Sequence, residues 1–352
     1  MARKKVLLSG NDAIGAGAMQ AGCVFYAGYP ITPQNELTAY MAEHMPEAGR
    51  VFIQAESEIA AINMVFGAAA AGARAMTSSS SPGISLKQEG ISYIAGARLP
   101  AVIVNIMRGG PGLGNIAPAQ SDYFQATRSG GHGDYRSIVL APSSVPEAYA
   151  LIQKAFFLSE KYRMPAILLG DGMLGQMMEV VELDPSRKEP AQKKKPWALT
   201  GCKGRAPNIV RSIYLKEGAL EEFNLSLQKK YKLIQRTEQR YESFALEDAR
   251  LVIVAYGTMA RIAKQAVDTL RRRGKKAGFI RPITLWPFPA SVFASPRTVR
   301  QKFLVTEMSY GQMVEDVRLA LEGRAEVAFL GRAGGGVPSE EEIIARATQL
   351  LS

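Results

Sequence analysis

The chain has 352 residues, of which 47% are hydrophobic and 21% charged, an ordinary globular composition with apolar material for one large or two average domains. Its formal net charge of +11 comes mainly from short lysine and arginine clusters without interleaved aromatic residues, so we expect a solvated basic face or docking of an acidic protein rather than nucleic-acid binding. Two cysteines and two histidines are too few for an iron–sulfur cluster or a His/Cys metal centre built from this chain alone.

The start of the chain and its thiols predict a cytoplasmic protein. The apolar run Val6–Leu8 stops at Ser9, so no signal peptide is expected. No apolar run approaches the ~20 residues of a membrane span. Cys23 and Cys202 do not form a CxxC pair, and we expect both to be reduced.

Short apolar runs alternate with helical patterns through the first half of the chain. Such alternation predicts a parallel sheet with helices on both faces. Strands are predicted at Val24–Ala27, Val51–Gln54, Arg74–Thr77, Ala101–Met107, Ser137–Leu140 and Ala166–Leu169, and helices at Pro33–Met45, Glu58–Ala73 and Pro146–Glu160.

A second, smaller α/β domain is predicted after a proline-rich linker. The stretch Asp184–Pro207 contains four prolines and a lysine run, and Leu220–Phe244 has the pattern of a polar bridging helix. Strand–helix alternation then resumes, which gives the division 1–183, 184–247 and 248–352. The later elements are predicted at Leu251–Tyr256, Thr258–Arg273, Ala277–Ile280, Phe303–Thr306, Glu315–Leu321 and Glu326–Leu330, with a capping box at Ser339 opening a last helix.

The segment Tyr29–Pro33 follows the first clear strand. Its two prolines fix the backbone around Ile31 and Thr32, and open α/β sheets bind ligands at the carboxyl ends of their strands. Thr32 would offer a hydroxyl from a rigid mount. The alternative is that Thr32 caps a helix with Pro33 in its first turn, and both roles could coexist.

Two glutamates open the Ala-rich helix that follows the next strand. A carboxylate at the start of so apolar a helix is partly desolvated, so it requires a specific partner or a raised pKa. Glu56 and Glu58 are two positions apart and would point in different directions, so only one should face a ligand. The alternative is a favourable charge at a helix N-terminus.

Several loops after later strands offer further polar groups. Arg108 opens a glycine-rich loop, where an arginine can clamp a carboxylate or phosphate; the alternative is a surface arginine. Thr77–Gly83 is either a polar pocket lining or a linker. His132 could be an acid or base, although a structural or ligand-lining role is favoured. Gly170-Asp171-Gly172 lacks the later asparagines of a diphosphate–Mg²⁺ motif and is rejected as a metal site.

These segments, in order and at plausible spacing over essentially the whole chain, resemble the pyruvate:ferredoxin oxidoreductase superfamily, and most closely the alpha-type subunits of its 2-oxoisovalerate (branched-chain) VorB type. The resemblance rests on Tyr29–Pro33, Glu56–Gly72, Arg108–Gly114, Gly131–Ser137 and Gly170–Gln176. It implies two doubly wound, mostly parallel-sheet domains: a pyrimidine-binding domain of thiamine-diphosphate enzymes, then a transketolase C-terminal-like domain.

The resemblance also implies roles for individual residues. Glu58 aligns with the glutamate that contacts N1′ of the thiamine aminopyrimidine and favours its imino tautomer, and Pro30 and Ile31 lie in the loop expected beside the cofactor. Thr32 aligns with the threonine that contacts substrate. Arg108 aligns with the arginine that holds the substrate carboxylate.

The implied activity is oxidative decarboxylation of a branched-chain 2-oxoacid to an acyl-coenzyme A, with electrons passed to ferredoxin. A 2-oxoglutarate- or pyruvate-type subunit and a non-catalytic scaffold are the alternatives. The missing cluster cysteines and metal motif imply that Mg²⁺ and iron–sulfur clusters lie on beta and gamma or delta subunits, in a dimer of heteromers that shares the thiamine diphosphate. The chain alone is expected to be inactive.

Overall fold

The computed structural model describes residues 4–183, 195–295 and 300–352, and two parallel-dominated sheets with covering helices confirm the predicted α/β class. The strands are β1 Lys4–Ser9, β2 Phe25–Gly28, β3 Val51–Gln54, β4 Ala75–Ser79, β5 Ala101–Met107, β6 Ile138–Leu140, β7 Pro165–Asp171, β8 Met178–Leu183, β9 Tyr241–Phe244, β10 Leu251–Val254, β11 Ala277–Pro282, β12 Thr284–Trp286, β13 Lys302–Glu307 and β14 Val327–Gly331. The α-helices are α1 Gly10–Gln20, α2 Asn35–Glu47, α3 Glu58–Ala70, α4 Ser81–Gly96, α5 Tyr123–Thr127, α6 Val145–Tyr162, α7 Gly172–Gln176, α8 Ala219–Thr237, α9 Met259–Arg272, α10 Met313–Leu321 and α11 Glu340–Leu351.

The first sheet has seven strands in the order β12-β6-β7-β5-β4-β2-β3. All neighbours are parallel except β12 and β6. Every residue of β4, β5 and β7 is buried, because helices cover both faces. The chain runs from β2 outward to β3 and then crosses back to β4 on the other side of β2. The carboxyl ends of β2 and β4 therefore flank a topological switch point, where such sheets bind ligands.

The second sheet has five strands in the order β14-β13-β10-β11-β9, with β9 antiparallel to β11. Its central strand β10 is fully buried, and α9 packs an apolar stripe containing Ala263 and Leu270 into the same core. Strand β11 of the second sheet ends at Pro282, and β12 of the first sheet begins at Thr284, so the chain passes from one sheet to the other at Ile283.

Some sequence-based predictions were wrong. The helix predicted over Leu220–Phe244 ends at Thr237, and its last residues form β9 instead. The hydroxyl-rich segment Thr77–Gly83 is not a linker, because it ends β4 and opens α4. The capping box at Ser339 is confirmed in both of its hydrogen bonds.

Two further features complete the fold. The ends of the first unit, β1 and β8, pair as an antiparallel two-stranded ribbon that the sequence pattern did not reveal. No helix in the described ranges has the length and apolar character needed to cross a membrane. Of the predicted linker, residues 184–194 lie outside the described residues, and residues 195–207 contain neither helix nor strand.

Candidate active site

Four connections meet at the carboxyl ends of β2, β3, β4 and β5, which are neighbours in the first sheet. They hold the Thr32 loop, the start of α3 with Glu58, the start of α4, and the glycine-rich loop that begins at Arg108. The structure thus brings the sequence-predicted site residues to one edge of one sheet.

The Thr32 loop is rigid but does not cap a helix. Helix α2 begins at Asn35, and Gln34, not Thr32, precedes it. The amide of Gln34 donates to the carbonyl of Ile31 at 3.0 Å, which inserts a turn between the loop and the helix. The alternative interpretation of Thr32 as an N-cap is therefore wrong. Pro30 is exposed, whereas Ile31 and Thr32 are half-buried.

A buried polar network supports this loop from below. The Tyr26 hydroxyl lies 2.6 Å from the hydroxyl of Ser78 and 3.1 Å from that of Thr38. Ser78 and Thr38 both donate to the Gln34 side-chain carbonyl, at 2.6 and 3.2 Å. The side-chain amide nitrogen of Gln34 donates to the Tyr29 carbonyl at 3.3 Å. Sequence inspection did not single out Gln34, since a glutamine beside a loop carries no distinctive signal.

Glu58 is the first residue of α3 and is buried, whereas Glu56 is exposed. This confirms that the two glutamates point in different directions. Within the described chain, the Glu58 carboxylate accepts one hydrogen bond, a long one of 3.5 Å from the Ser79 hydroxyl. Gly83 lies directly against it, and a Cβ at Gly83 would collide with both the Ser79 hydroxyl and the Glu58 carboxylate.

Arg108 is buried and bridges two loops, so the alternative of a surface arginine is wrong. Its Nη1 donates to the Thr32 carbonyl at 2.9 Å, and its Nη2 donates to the Leu113 carbonyl at 3.1 Å. Its Nε is buried without a partner among the described residues. The guanidinium is thus fixed beside Thr32 and retains hydrogen-bonding capacity, since a buried donor normally has an acceptor.

A second network fixes the backbone of Arg108. Its amide donates to the Ser81 hydroxyl at 3.0 Å, and that hydroxyl donates to the Asp122 carboxylate at 2.6 Å. Asn105 donates to the same carboxylate at 2.9 Å. Burial raises the pKa of Asp122, while these two hydrogen bonds oppose that rise.

Two other predicted groups lie apart from this cluster. His132 is exposed and borders a cavity of about 180 Å³ between α4 and α8, whose lining includes neither Glu58 nor Arg108. Asp171 is fully buried at the end of β7, where its carboxylate accepts from the Thr258 hydroxyl at 2.8 Å and from the amides of Met173 and Leu174. It caps α7 and joins the two sheets.

The cluster has the chemistry of a site for a neutral heteroaromatic ring and a small anion. A buried carboxylate with one long hydrogen bond can take a further donor, such as a ring N–H. A side chain at position 83 would occupy the space beside the Glu58 carboxylate, which Gly83 leaves open. The fixed guanidinium of Arg108 suits a carboxylate. These residues fit the aminopyrimidine of thiamine diphosphate and the carboxylate of a 2-oxoacid.

Comparison with known families identifies two matches. Residues 16–245 match the thiamine-diphosphate-binding domain of pyruvate flavodoxin/ferredoxin oxidoreductases, and residues 249–343 match core domain II of pyruvate:ferredoxin oxidoreductase.

Relatives match over nearly the whole chain. The chain is 50% identical to ketoisovalerate oxidoreductase subunit VorB of Methanothermobacter marburgensis, over 98% of this chain and 97% of that protein. It is 35% identical to 2-oxoglutarate synthase subunit KorA of Methanothermobacter thermautotrophicus, over 97% of each.

A solved structure has the same fold. The 2-oxoglutarate:ferredoxin oxidoreductase from Magnetococcus marinus, with 2-oxoglutarate, coenzyme A and succinyl-CoA bound, superimposes with a TM-score of 0.88 at 26% identity. The match covers 99% of this chain but 65% of that one, so this chain spans about two thirds of the solved polypeptide.

Proposed function

The chain belongs to the pyruvate:ferredoxin oxidoreductase family, and we propose that it is the alpha-type subunit of a thiamine-diphosphate-dependent enzyme that oxidatively decarboxylates a branched-chain 2-oxoacid, 2-oxoisovalerate, to its acyl-coenzyme A. The resemblance predicted from sequence motifs is confirmed by both family matches. The single observation that carries the activity is the meeting of Glu58, Thr32 and Arg108 at one edge of the first sheet.

Each of these residues has a proposed task. The buried Glu58 carboxylate would accept a hydrogen bond from N1′ of the aminopyrimidine, with Pro30 and Ile31 at the rim beside the cofactor. Arg108 grips the substrate carboxylate, and Thr32 offers a hydroxyl on the same loop that Arg108 holds by its carbonyl. When bound, thiamine diphosphate supplies a carbon nucleophile for the 2-oxoacid carbonyl.

The charge of the site favours a substrate with one carboxylate. Among the described residues of the four connections, Arg108 is the only cation. 2-Oxoglutarate carries a second carboxylate, which would require a second cationic group. The higher identity to a ketoisovalerate subunit than to a 2-oxoglutarate subunit agrees with this reasoning.

The surroundings of the site support completion by another subunit. Leu113 is 80% exposed and Ile116 66% exposed on the glycine-rich loop, and Tyr29 on the Thr32 loop, Ile59 in α3 and Leu86 in α4 are also exposed. Several exposed apolar side chains on neighbouring elements are typical of an interaction surface. We therefore propose that a beta subunit covers this edge and supplies Mg²⁺ and diphosphate ligands.

The remaining cofactors and partners follow from the composition. Cys23 is buried and Cys202 is exposed, and two thiolates cannot hold a cluster. Iron–sulfur clusters, ferredoxin binding and the dimeric arrangement of heteromers are therefore proposed for the complete complex with gamma or delta subunits. We also propose the domain division 1–183, 184–247 and 248–352, although β9 joins the second sheet and β12 the first.

Replacement of Glu58 by glutamine tests the proposal in the complex assembled with its partner subunits. Glu58→Gln removes the ionisable group, so turnover of 2-oxoisovalerate should fall about 100-fold or more. Glu56→Gln is the matched control, because its side chain is exposed two positions away, and it should keep wild-type turnover. Full activity of Glu58→Gln would favour the alternative of a scaffold. Preference for 2-oxoglutarate over 2-oxoisovalerate would refute the proposed substrate.

A further inference from the structure

Lys87 is a fully buried lysine that the proposed chemistry does not yet use. It lies in the second turn of α4 and has no exposed surface. Its ammonium donates to the Thr77 hydroxyl at 3.1 Å and lies 3.5 Å from the Glu58 main-chain carbonyl. Among the described residues it forms no salt bridge. Lysine is rarely buried unless it is paired, so an unpaired ammonium here has an unusual cost.

The direction of the side chain connects Lys87 with the candidate site. Helical side chains lean toward the N-terminus of their helix, and the N-terminus of α4 is one wall of the site. The Lys87 ammonium accordingly reaches back between β4 and the first turn of α3. It touches the backbone of the same residue whose carboxylate faces Ser79 and Gly83.

We propose that Lys87 is a positioning residue for Glu58: its buried ammonium fixes the first turn of α3 through the Glu58 carbonyl and thereby sets the direction from which the Glu58 side chain enters the site. This inference rests on the proposed function. A charged donor makes a stronger hydrogen bond to a carbonyl than a neutral one does. Loss of the Lys87 charge would therefore loosen the first turn of α3 and the placement of the Glu58 side chain against N1′ of the aminopyrimidine.

The other charges around α4 leave Glu58 as the relevant partner. The elements that pack against α4 carry Glu58 at the start of α3, Arg108 after β5 and Asp171 at the end of β7. The nearby Asp122 carboxylate already accepts hydrogen bonds from Ser81 and Asn105. On α4 itself, Glu89 is exposed and bonds Tyr93. Burial lowers the pKa of Lys87 to about 8, and the negative charge of Glu58 opposes this. The cation is therefore present at neutral pH and is lost in mildly alkaline solution.

The test compares Lys87→Met with the wild type in the assembled complex. Methionine fills the same space without charge. Glu89→Gln is the matched control, because it removes one charge from the exposed face of the same helix. The measurements are the dissociation constant of thiamine diphosphate by calorimetry and kcat for 2-oxoisovalerate, each across the range from neutral to alkaline pH.

The wild type should lose affinity for thiamine diphosphate and kcat as the pH rises through about 8. Lys87→Met should lack that step and show, at neutral pH, a kcat roughly tenfold lower, since displacement of a positioned group by about 1 Å can cost up to about 100-fold in rate. Glu89→Gln should follow the wild type. A Lys87→Met complex that keeps the wild-type step in both measurements would overturn the inference.

Two further results keep this inference separate from the proposed function. If Glu58→Gln is inactive while Lys87→Met is indistinguishable from the wild type, the function stands and the role of Lys87 fails. If the Lys87→Met variant does not assemble with its partner subunits, the pH dependence of thiamine diphosphate affinity in the wild type still tests the inference. A flat affinity for thiamine diphosphate between neutral pH and about pH 9 would then refute a titrating cation beside Glu58.

Discussion

Lys87→Met is expected to stabilise the folded chain at neutral pH, although it impairs the site. The ordinary lysine pKa of 10.5 is lowered to about 8 by burial, and a gap of this size corresponds to about 3 kcal/mol of destabilisation when the group is charged in both states. Methionine removes that cost and gives up the hydrogen bond to Thr77, about 1 kcal/mol. The net gain at neutral pH is therefore about 2 kcal/mol.

The pH dependence gives the sign of this effect. Because the folded chain binds its Lys87 proton less tightly than the unfolded chain does, the free energy of unfolding of the wild type rises from about pH 8 to about 10.5. Lys230 also has a pKa lowered to about 8, by burial and by Arg98 and Arg163. The quantity to measure is therefore the difference between wild type and Lys87→Met.

Urea denaturation of the full chain at several pH values between neutral and about 10 provides that difference. The variant should be about 2 kcal/mol more stable at neutral pH, and the two unfolding curves should approach each other and then cross as the pH rises, because the deprotonated wild type loses the charge penalty of about 3 kcal/mol and keeps the hydrogen bond to Thr77. A variant that is less stable at neutral pH, by a margin independent of pH, would refute the reasoning. It would mean that the Lys87 ammonium is stabilised in the core rather than tolerated for function.

Three further predictions concern other parts of the molecule. Arg108→Lys should raise the KM for the 2-oxoacid about 10- to 100-fold in steady-state kinetics of the complex, because a lysine cannot reproduce the planar fork that spans two loop carbonyls; an unchanged KM would exclude Arg108 from substrate binding. Burial raises the pKa of Cys23 to about 12, so a thiol reagent should modify Cys202 alone in the folded chain and both thiols only after unfolding. Arg281→Met should lower the free energy of unfolding by about 2–4 kcal/mol, because it leaves Glu147 without its bidentate partner; an unaltered denaturation midpoint would contradict this.

The sequence predicted the parallel strands well because each is a short continuous apolar run, and the central ones are buried on both faces. The bounds of Val51–Gln54 and Ala101–Met107 are confirmed to the residue. The antiparallel additions β8, β9 and β12 were not predicted, since the pairing of each depends on a strand distant in the chain. Periodicity describes a local segment, whereas an edge strand is defined by its neighbour.

Helix α4 shows why some helices escape a reading of the sequence. It contains three glycines and three serines, which are poor helix formers. The structure explains Gly90, because a Cβ there would collide with Ile62 on α3, and Gly83, which lies against Glu58. Close packing against α3 and access to the site require small residues in α4, and this requirement outweighs their low intrinsic helix propensity.

The candidate site was accessible from the sequence only in part. Thr32, Glu58 and Arg108 each follow a predicted strand, and the family resemblance implied that they share one site, whereas the sheet order that brings them together comes from the structure. Lys87 and Gln34 were missed because a lysine in an unrecognised helix is expected to be exposed, and a glutamine has no fixed function. Their importance appears only through burial and through the groups that they contact.

The rigidity of the Arg108 clamp limits what this chain contributes to substrate selection. Three separate contacts hold this residue, to Thr32, to Leu113 and to Ser81, so its guanidinium cannot move to meet substrates of different length. In its proposed role, such a clamp would recognise the carboxylate that every 2-oxoacid shares. The pocket for the rest of the substrate is then expected where the exposed Leu113 and Ile116 meet the proposed beta subunit. On the proposed function, discrimination between an apolar branched chain and a second carboxylate would therefore depend on that interface, to which the glycine-rich loop offers apolar side chains.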